Sequence, residues 1–200
     1  TMRDRTVLFF SYLFPVIFFF AFGEGFDAAK SSGSTAQVVS MVLVLGVLGN
    51  GFFGGGIRAV MERETGILRR FKVAPISPGP ILVSSIVTGW VIYMPAVVAF
   101  FALAHWRYHL PAPENPISIA ILLSLGIIAF RAMGLIIASV VNTMAESQIL
   151  VQLLYFPMLL LSGATIPLST MPDWLQVVAQ FLPATHLYLG LQGMLLDGEG

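Results

Sequence analysis

Ile117-Ser-Ile-Ala-Ile-Leu-Leu-Ser-Leu-Gly-Ile-Ile-Ala-Phe-Arg131-Ala-Met-Gly-Leu-Ile-Ile-Ala-Ser-Val-Val141 is a long apolar run broken by one interior charge. Crossing the hydrocarbon core of a bilayer takes about 20 mostly apolar residues in a helix, because each residue advances the chain by about 1.5 Å. A barrel strand would alternate apolar and polar residues over about ten positions, and this run does not alternate. Four uncharged runs of similar character accompany it: Thr6–Phe22, Val38–Ile57, Ile81–Ala104 and Ile149–Leu168. The expected fold is all-α, a polytopic transmembrane helical bundle with five spans and one domain over residues 1–200.

Composition agrees. Of 200 residues, 57% are hydrophobic and 10% charged, with a mean hydropathy of +0.89. A soluble domain carries about a quarter charged residues, so a soluble globular enzyme, a disordered chain and a nucleic-acid binder are all excluded. The formal net charge is zero, which offers no excess attraction to a polyanion. The chain has no cysteine, and disulfides, thiolate metal sites and cysteine nucleophiles go with it.

Orientation follows from the basic residues. Arg3 and Arg5 precede the first run, and Arg58, Arg63, Arg69, Arg70 and Lys72 lie between the second and third. A cytoplasmic N-terminus places all of these inside and leaves only Lys30 and Arg107 in outer loops. Pro15 interrupts the first run and no small-x-small cleavage site follows it, so it reads as a membrane helix and not as a signal peptide. Beyond Leu168, Trp174, Leu175, Val177, Val178, Phe181 and Leu182 recur at helical spacing opposite Gln176 and Gln180, and Pro183 ends the pattern. This predicts a short outer interfacial helix with Trp174 at headgroup level, inside a re-entrant segment 162–190. His186 to Leu196 is apolar but too short to cross, and a sixth span is expected in a longer parent chain.

The segment 58–77 concentrates charge between two spans. Glu62, Arg63, Glu64, Gly66, Arg69 and Arg70 stand close together there, and Ile67, Leu68 and Phe71 can share one side of a short helix. A basic anchor to lipid headgroups accounts for the arginines. The two glutamates are superfluous to an anchor and point to a docking helix for a protein partner.

Inside the spans, Arg131 lies ten residues before Val141, about 15 Å from the inner end and near the midplane. A charge at that depth is costly and should face the bundle, a water-filled cavity or a carbonyl cluster. Gly51 and Gly55 form a small-xxx-small face for close helix packing, or line a translocation path, and Asn50 needs a partner across that contact. Gly49-Asn-Gly51-Phe-Phe-Gly54 matches the dinucleotide glycine pattern, but no strand or βαβ unit surrounds it. His105 and His109 have helical metal-ligand spacing, yet Pro111 and Pro113 favour an outer loop. Ser162 and His186 could pair as a hydrolytic dyad, although no G-x-S-x-G elbow is present. Pro15, Pro95 and Pro157 predict kinks. None of the five spans contains Asp or Glu, which argues against an ion- or proton-coupled secondary transporter.

Two separated motifs carry a resemblance. Glu62-Arg63-Glu64-Thr65-Gly66-Ile67-Leu68-Arg69-Arg70-Phe71 followed by Ala74-Pro75-Ile76-Ser77 resembles the first cytoplasmic loop of ABC-2 type transporter permeases. Leu161-Ser162-Gly163-Ala164-Thr165-Ile166-Pro167 with Met171-Pro172-Asp173-Trp174-Leu175 and Phe181-Leu182-Pro183 resembles that family's re-entrant stretch between its fifth and sixth helices. Arg3-Asp4-Arg5 ahead of Leu13-Phe14-Pro15 is also similar. The chain departs from the family in lacking the sixth helix and the amphipathic N-terminal helix. The resemblance implies a non-catalytic permease subunit in a bacterial inner membrane, working with a second permease (identical or different) among membrane lipids. Its ATP and Mg would sit on a separate cytoplasmic ABC ATPase, since the chain has no G-x-x-x-x-G-K-[ST] loop. Glu62, Arg63, Glu64, Gly66, Arg69 and Arg70 would form the ATPase-coupling loop, and Ser162, Gly163, Pro167, Pro172 and Trp174 the outer re-entrant segment. The cargo would be an amphipathic or lipid-like substrate or a drug. No cofactor, metal or nucleic acid is expected on the chain itself. The alternatives are a secondary transporter and an intramembrane hydrolase.

Overall fold

The run around Val38–Ile57 is apolar on every side, and a helix of that kind belongs in the interior. In the computed structural model, which describes residues 13–25, 32–65, 78–111 and 113–196, it is the axis of the bundle. Helix α1 (Phe14–Gly25) leads to α2 (Ser32–Gly51), which continues without interruption through a π-helical turn (Phe52–Ile57) into α3 (Arg58–Glu64). The resulting rod, Gly33–Glu64, is buried throughout its most apolar window. Around it stand α4 (Pro78–Tyr108), α5 (Pro116–Val140) and α6 (Met144–Leu161); a 3-10 turn (Leu168–Thr170), α7 (Asp173–Gln180) and α8 (Pro183–Leu196) follow. The described residues contain no strand. Among the described residues, four helices are long and apolar enough to cross a membrane, with α1 as a shorter apolar helix.

Three boundaries differ from the sequence reading, each for a physical reason. The second span does not stop at Ile57. Counting uncharged residues ended it at Arg58, but Arg58 and Glu62 are an i,i+4 ion pair at 2.8 Å that supports the helix. Residues 58–64 are therefore helical, and the loop assigned to 58–77 starts later. The fifth span runs from Met144 to Leu161 in place of 149–168. Thr143 caps it by accepting a hydrogen bond from the Glu146 amide at 3.2 Å, while the Glu146 carboxylate accepts one from the Asn142 amide at 2.8 Å. This is a capping-box arrangement. At its far end Ser162 and Gly163 turn the chain. Finally, the helix that closes the segment 162–190 runs on past residue 190. Helix α8 reaches Leu196 and buries Ala184, Thr185, Leu187, Tyr188 and Leu191 against α2 and α5.

The first run is described only from residue 13 onward, so Arg3 and Arg5 lie outside the described residues, as do Lys30, Gly66, Arg69, Arg70 and Lys72. Pro95 and Pro157 lie inside α4 and α6, and Pro15 stands at the beginning of α1.

Packing on the rod relies on missing side chains. Tyr93 of α4 lies over Gly46 and donates its hydroxyl to the Leu43 carbonyl at 2.7 Å, and Tyr108 lies over Gly23 of α1. The opposite faces of α4, α5 and α6 are apolar and exposed, with Val91, Val98, Ile121, Leu125, Ile149 and Leu153 all more than half accessible. A face of that composition suits lipid tails.

Candidate functional site: a buried arginine and a helix-end clip

Arg131 is 2% exposed. Its Nε donates to Asn50 Oδ1 at 2.8 Å, and its Nη1 donates to the Ser85 carbonyl and, at 2.9 Å, to Ser85 Oγ. Asn50 completes the arrangement by donating Nδ2 to the Gly89 carbonyl at 3.1 Å. One polar knot thus ties α2, α4 and α5 together at mid-bundle. The sequence places each participant: Asn50 and Arg131 are the polar exceptions in apolar runs, and both must find partners when buried. Gly89 has to be glycine, because a Cβ there would stand 2.0 Å from Arg131 Nε.

The glycine face works within the chain. A Cβ on Gly51 would meet Phe130 Cβ at 2.4 Å and the Phe130 backbone at 2.7 Å, and one on Gly56 would meet the Gly134 carbonyl at 2.8 Å. Gly51 and Gly56 accordingly seat α5 on the rod, while Gly55 faces Arg131 at ordinary contact distance, 3.5 Å to Cγ. The π-helical turn lies in the middle of this crossing. Such turns recur at functional positions because they open the regular hydrogen-bond ladder.

At the charged end of the rod the structure brings together residues that sequence reasoning had assigned elsewhere. Arg63 donates Nη1 to the Ala138 carbonyl at 2.9 Å and Nη2 to the Val141 carbonyl. These are among the last carbonyls of α5, which a helix leaves unpaired. Glu64 Oε1 accepts from the Met144 amide at 2.7 Å, one of the unpaired donors opening α6. Opposite charges sit on opposite helix termini, each in the orientation that the helix dipole favours. Arg63 and Glu64 therefore clip the end of the rod to the 141–143 turn. Glu62 pairs with Arg58 on its own helix. Thr143-Met-Ala-Glu146, which starts α6, carries the capping-box signature in the sequence itself.

At the other end, Ser162 Oγ donates to the Leu159 carbonyl at 2.9 Å and accepts from the Ala164 amide at 3.2 Å. Gly163 has φ of +84°, Pro167 precedes the 3-10 turn and Pro172 caps α7. The indole-bearing face of α7 points away from the bundle, with Trp174 68% and Phe181 83% exposed, as an interfacial helix requires. Gly163→Ala forces a left-handed backbone on alanine and brings its Cβ to 3.0 Å from Leu168. The expected cost is about 1–2 kcal/mol, read as a melting point lower by roughly 2–8 °C; an unchanged melting curve would contradict it.

Ser162 and His186 do not form a dyad. His186 Nε2 is engaged with the Gln180 carbonyl at 2.8 Å, and Ser162 is held in its turn. His105 Nδ1 is likewise engaged with the Leu110 carbonyl at 2.8 Å, just past the end of α4.

Comparison with known proteins gives a consistent answer. Residues 1–196 match the ABC-2 type transporter family. The inner membrane transport permease YhhJ of Escherichia coli is 25% identical over 181 residues, covering 90% of this chain and 46% of YhhJ. The linearmycin resistance permease protein LnrN of Bacillus subtilis is 24% identical over 180 residues, 88% of this chain and 44% of LnrN. The putative transport permease YvfS of Bacillus subtilis is 21% identical over 201 residues, 99% of this chain and 82% of YvfS. The chain thus spans about half the length of several curated relatives that it matches. No solved structure matches it. With a family match along almost its entire length and a bundle of helices built to cross a membrane, the chain belongs to the ABC-2 type transporter family of permeases.

Proposed function

We propose that this chain is the membrane-spanning part of an ATP-driven exporter that moves an amphipathic or lipid-like substrate out of the cytoplasm. It holds no nucleotide of its own; a cytoplasmic ABC ATPase binds ATP and Mg and docks on the charged end of the bundle. A second permease subunit completes the pathway in a bacterial inner membrane, with the N-terminus inside.

The observation that carries this reading is the clip. Arg63 and Glu64 join the end of the central rod to the turn between α5 and α6. A push applied there by a docked partner moves three helices together, and the polar knot at Asn50 and Arg131 carries the displacement to mid-bundle. The resistance role in the name of LnrN supports export as the direction of transport.

Affinity purification of the full-length parent protein from its own membranes should retain an ABC ATPase, and export from inverted vesicles should require ATP and stop with a non-hydrolysable analogue. A protein that purifies alone and transports on an ion gradient without ATP would place it among secondary transporters instead.

A further inference from the structure

Beside the polar knot lies a cavity of about 100 Å³ lined by residues of the π-helical turn, α3, α4 and α5. Arg131 and Leu135 line it from α5, Ser84, Ser85 and Thr88 from α4, and Arg58 and Glu62 from α3. Burial is graded across it. Arg131 is 2% exposed, whereas the side chains of Arg58 and Glu62 are 23% and 31% exposed, so the cavity deepens from a wetter rim to the buried guanidinium.

Its charge does not balance. Arg131 is hydrogen-bonded only to neutral groups, Asn50 and Ser85, and its Nη2 makes no hydrogen bond among the described residues. Glu62 is the single acid of the lining, and it already accepts from Arg58 at 2.8 Å. Two guanidinium groups thus face one carboxylate. An uncompensated cation so deep in an apolar bundle is costly unless something answers its charge, and guanidinium is the side chain best shaped to bind phosphate or carboxylate.

We propose that this cavity binds the anionic group of the transported amphipath. The assignment rests on the export reading above and narrows its substrate class to molecules whose head carries net negative charge, as a phosphate monoester or a carboxylate. Size agrees: drug-sized ligands occupy roughly 300–1,000 Å³, so about 100 Å³ admits a headgroup and leaves the tail outside. Val83 and Val87, 59% and 53% exposed, stand on α4 close in sequence to the lining residues Ser84 and Thr88 and offer an apolar surface to a tail. Phosphate free in solution has the same head chemistry and no use for that apolar margin.

The test is binding to the full-length parent protein in detergent, with dioctanoyl phosphatidate, dioctanoyl phosphatidylcholine and inorganic phosphate as separate probes. Phosphatidate should bind and phosphatidylcholine should not. Arg131→Gln should weaken phosphatidate binding about tenfold or more, as loss of a charged hydrogen bond implies. Glu62→Gln, at the rim and without effect on the knot, releases Arg58 toward the cavity and should tighten binding, which keeps the test informative if Arg131→Gln fails to fold. Inorganic phosphate binding as tightly as phosphatidate would overturn the amphipath assignment. Phosphatidate binding that is indifferent to both substitutions would overturn the site. Failure here with an ATPase still co-purifying leaves the export reading standing, whereas charge-dependent binding in a protein that takes no ATPase would leave the site and remove the exporter.

Discussion

Gly134→Val should cost the protein about 3 kcal/mol, the upper part of what overpacking imposes, and lower its melting temperature by roughly 6–12 °C. The reason is that the new atoms meet backbone. A Cβ at Gly134 would stand 2.5 Å from the Gly51 carbonyl oxygen and 2.9 Å from the Gly56 nitrogen, so no rotamer change elsewhere relieves the clash. The two helices must separate, and separation stretches the knot between Asn50 and Arg131 at the same time. Gly79→Val is the matched control: a Cβ at Gly79 meets nothing within 4 Å, and only the local helix preference changes. Thermal unfolding of the two purified variants, followed by loss of the monodisperse peak on size exclusion, measures the difference. Equal melting points would mean that α5 does not cross the rod where described.

Breaking the clip should damage coupling far more than stability. Arg63→Met with Glu64→Gln removes two carbonyl contacts and weakens one amide contact, all in a partly or fully exposed setting. Water can replace each of these bonds, so the fold should lose only about 1–2 kcal/mol, at the lower end for charged hydrogen bonds. Transmission has no such substitute. On the proposed mechanism the rod and the 141–143 turn then move independently, and substrate moved per ATP hydrolysed should fall about tenfold, within the usual range of coupling free energies. The measurement pairs phosphate release with export in the same reconstituted vesicles. Parallel decline of both rates would signal simple loss of active protein, and unchanged stoichiometry would remove the clip from the mechanism.

The long spans were legible in the sequence because an uncharged apolar run is a property of neighbouring residues. Arg131 and Asn50 were legible as a problem, since buried polar groups demand partners, and the structure solves the one with the other. The clip was hidden. Arg63 and Glu64 bind backbone groups 75 to 80 residues away, and backbone atoms leave no trace in residue identity. The two glutamates consequently looked superfluous within the chain, although each has a partner there. The shifted ends of the second and fifth spans share another cause. Counting uncharged residues locates the hydrocarbon, whereas helices run past it, and their ends are set by capping groups such as Thr143 and by ion pairs such as Arg58–Glu62. The stretch from His186 to Leu196 is too short to cross, as its length implies, yet length says nothing of packing: the 14-residue helix α8 buries five residues in the bundle without traversing it.

The π-helical turn has a consequence for how such chains tolerate insertions and deletions. Its hydrogen bonds reach five residues along the chain and not four, so the turn holds one residue more than regular helix would. One residue of an α-helix corresponds to about 100° of rotation. Because the wider turn spreads its surplus residue over nearly the same rotation, deleting a single glycine from Gly54–Gly56 would restore an ordinary helix and leave everything beyond Ile57 close to its present phase. Arg63 and Glu64 would still face the 141–143 turn, and Arg58 and Glu62 the cavity beside Arg131, whereas a deletion in ordinary helix would swing them aside by about 100°. The surplus residue is thus absorbed where it sits, and a gap of one position there is compatible with relatives that keep this geometry on both sides of the turn.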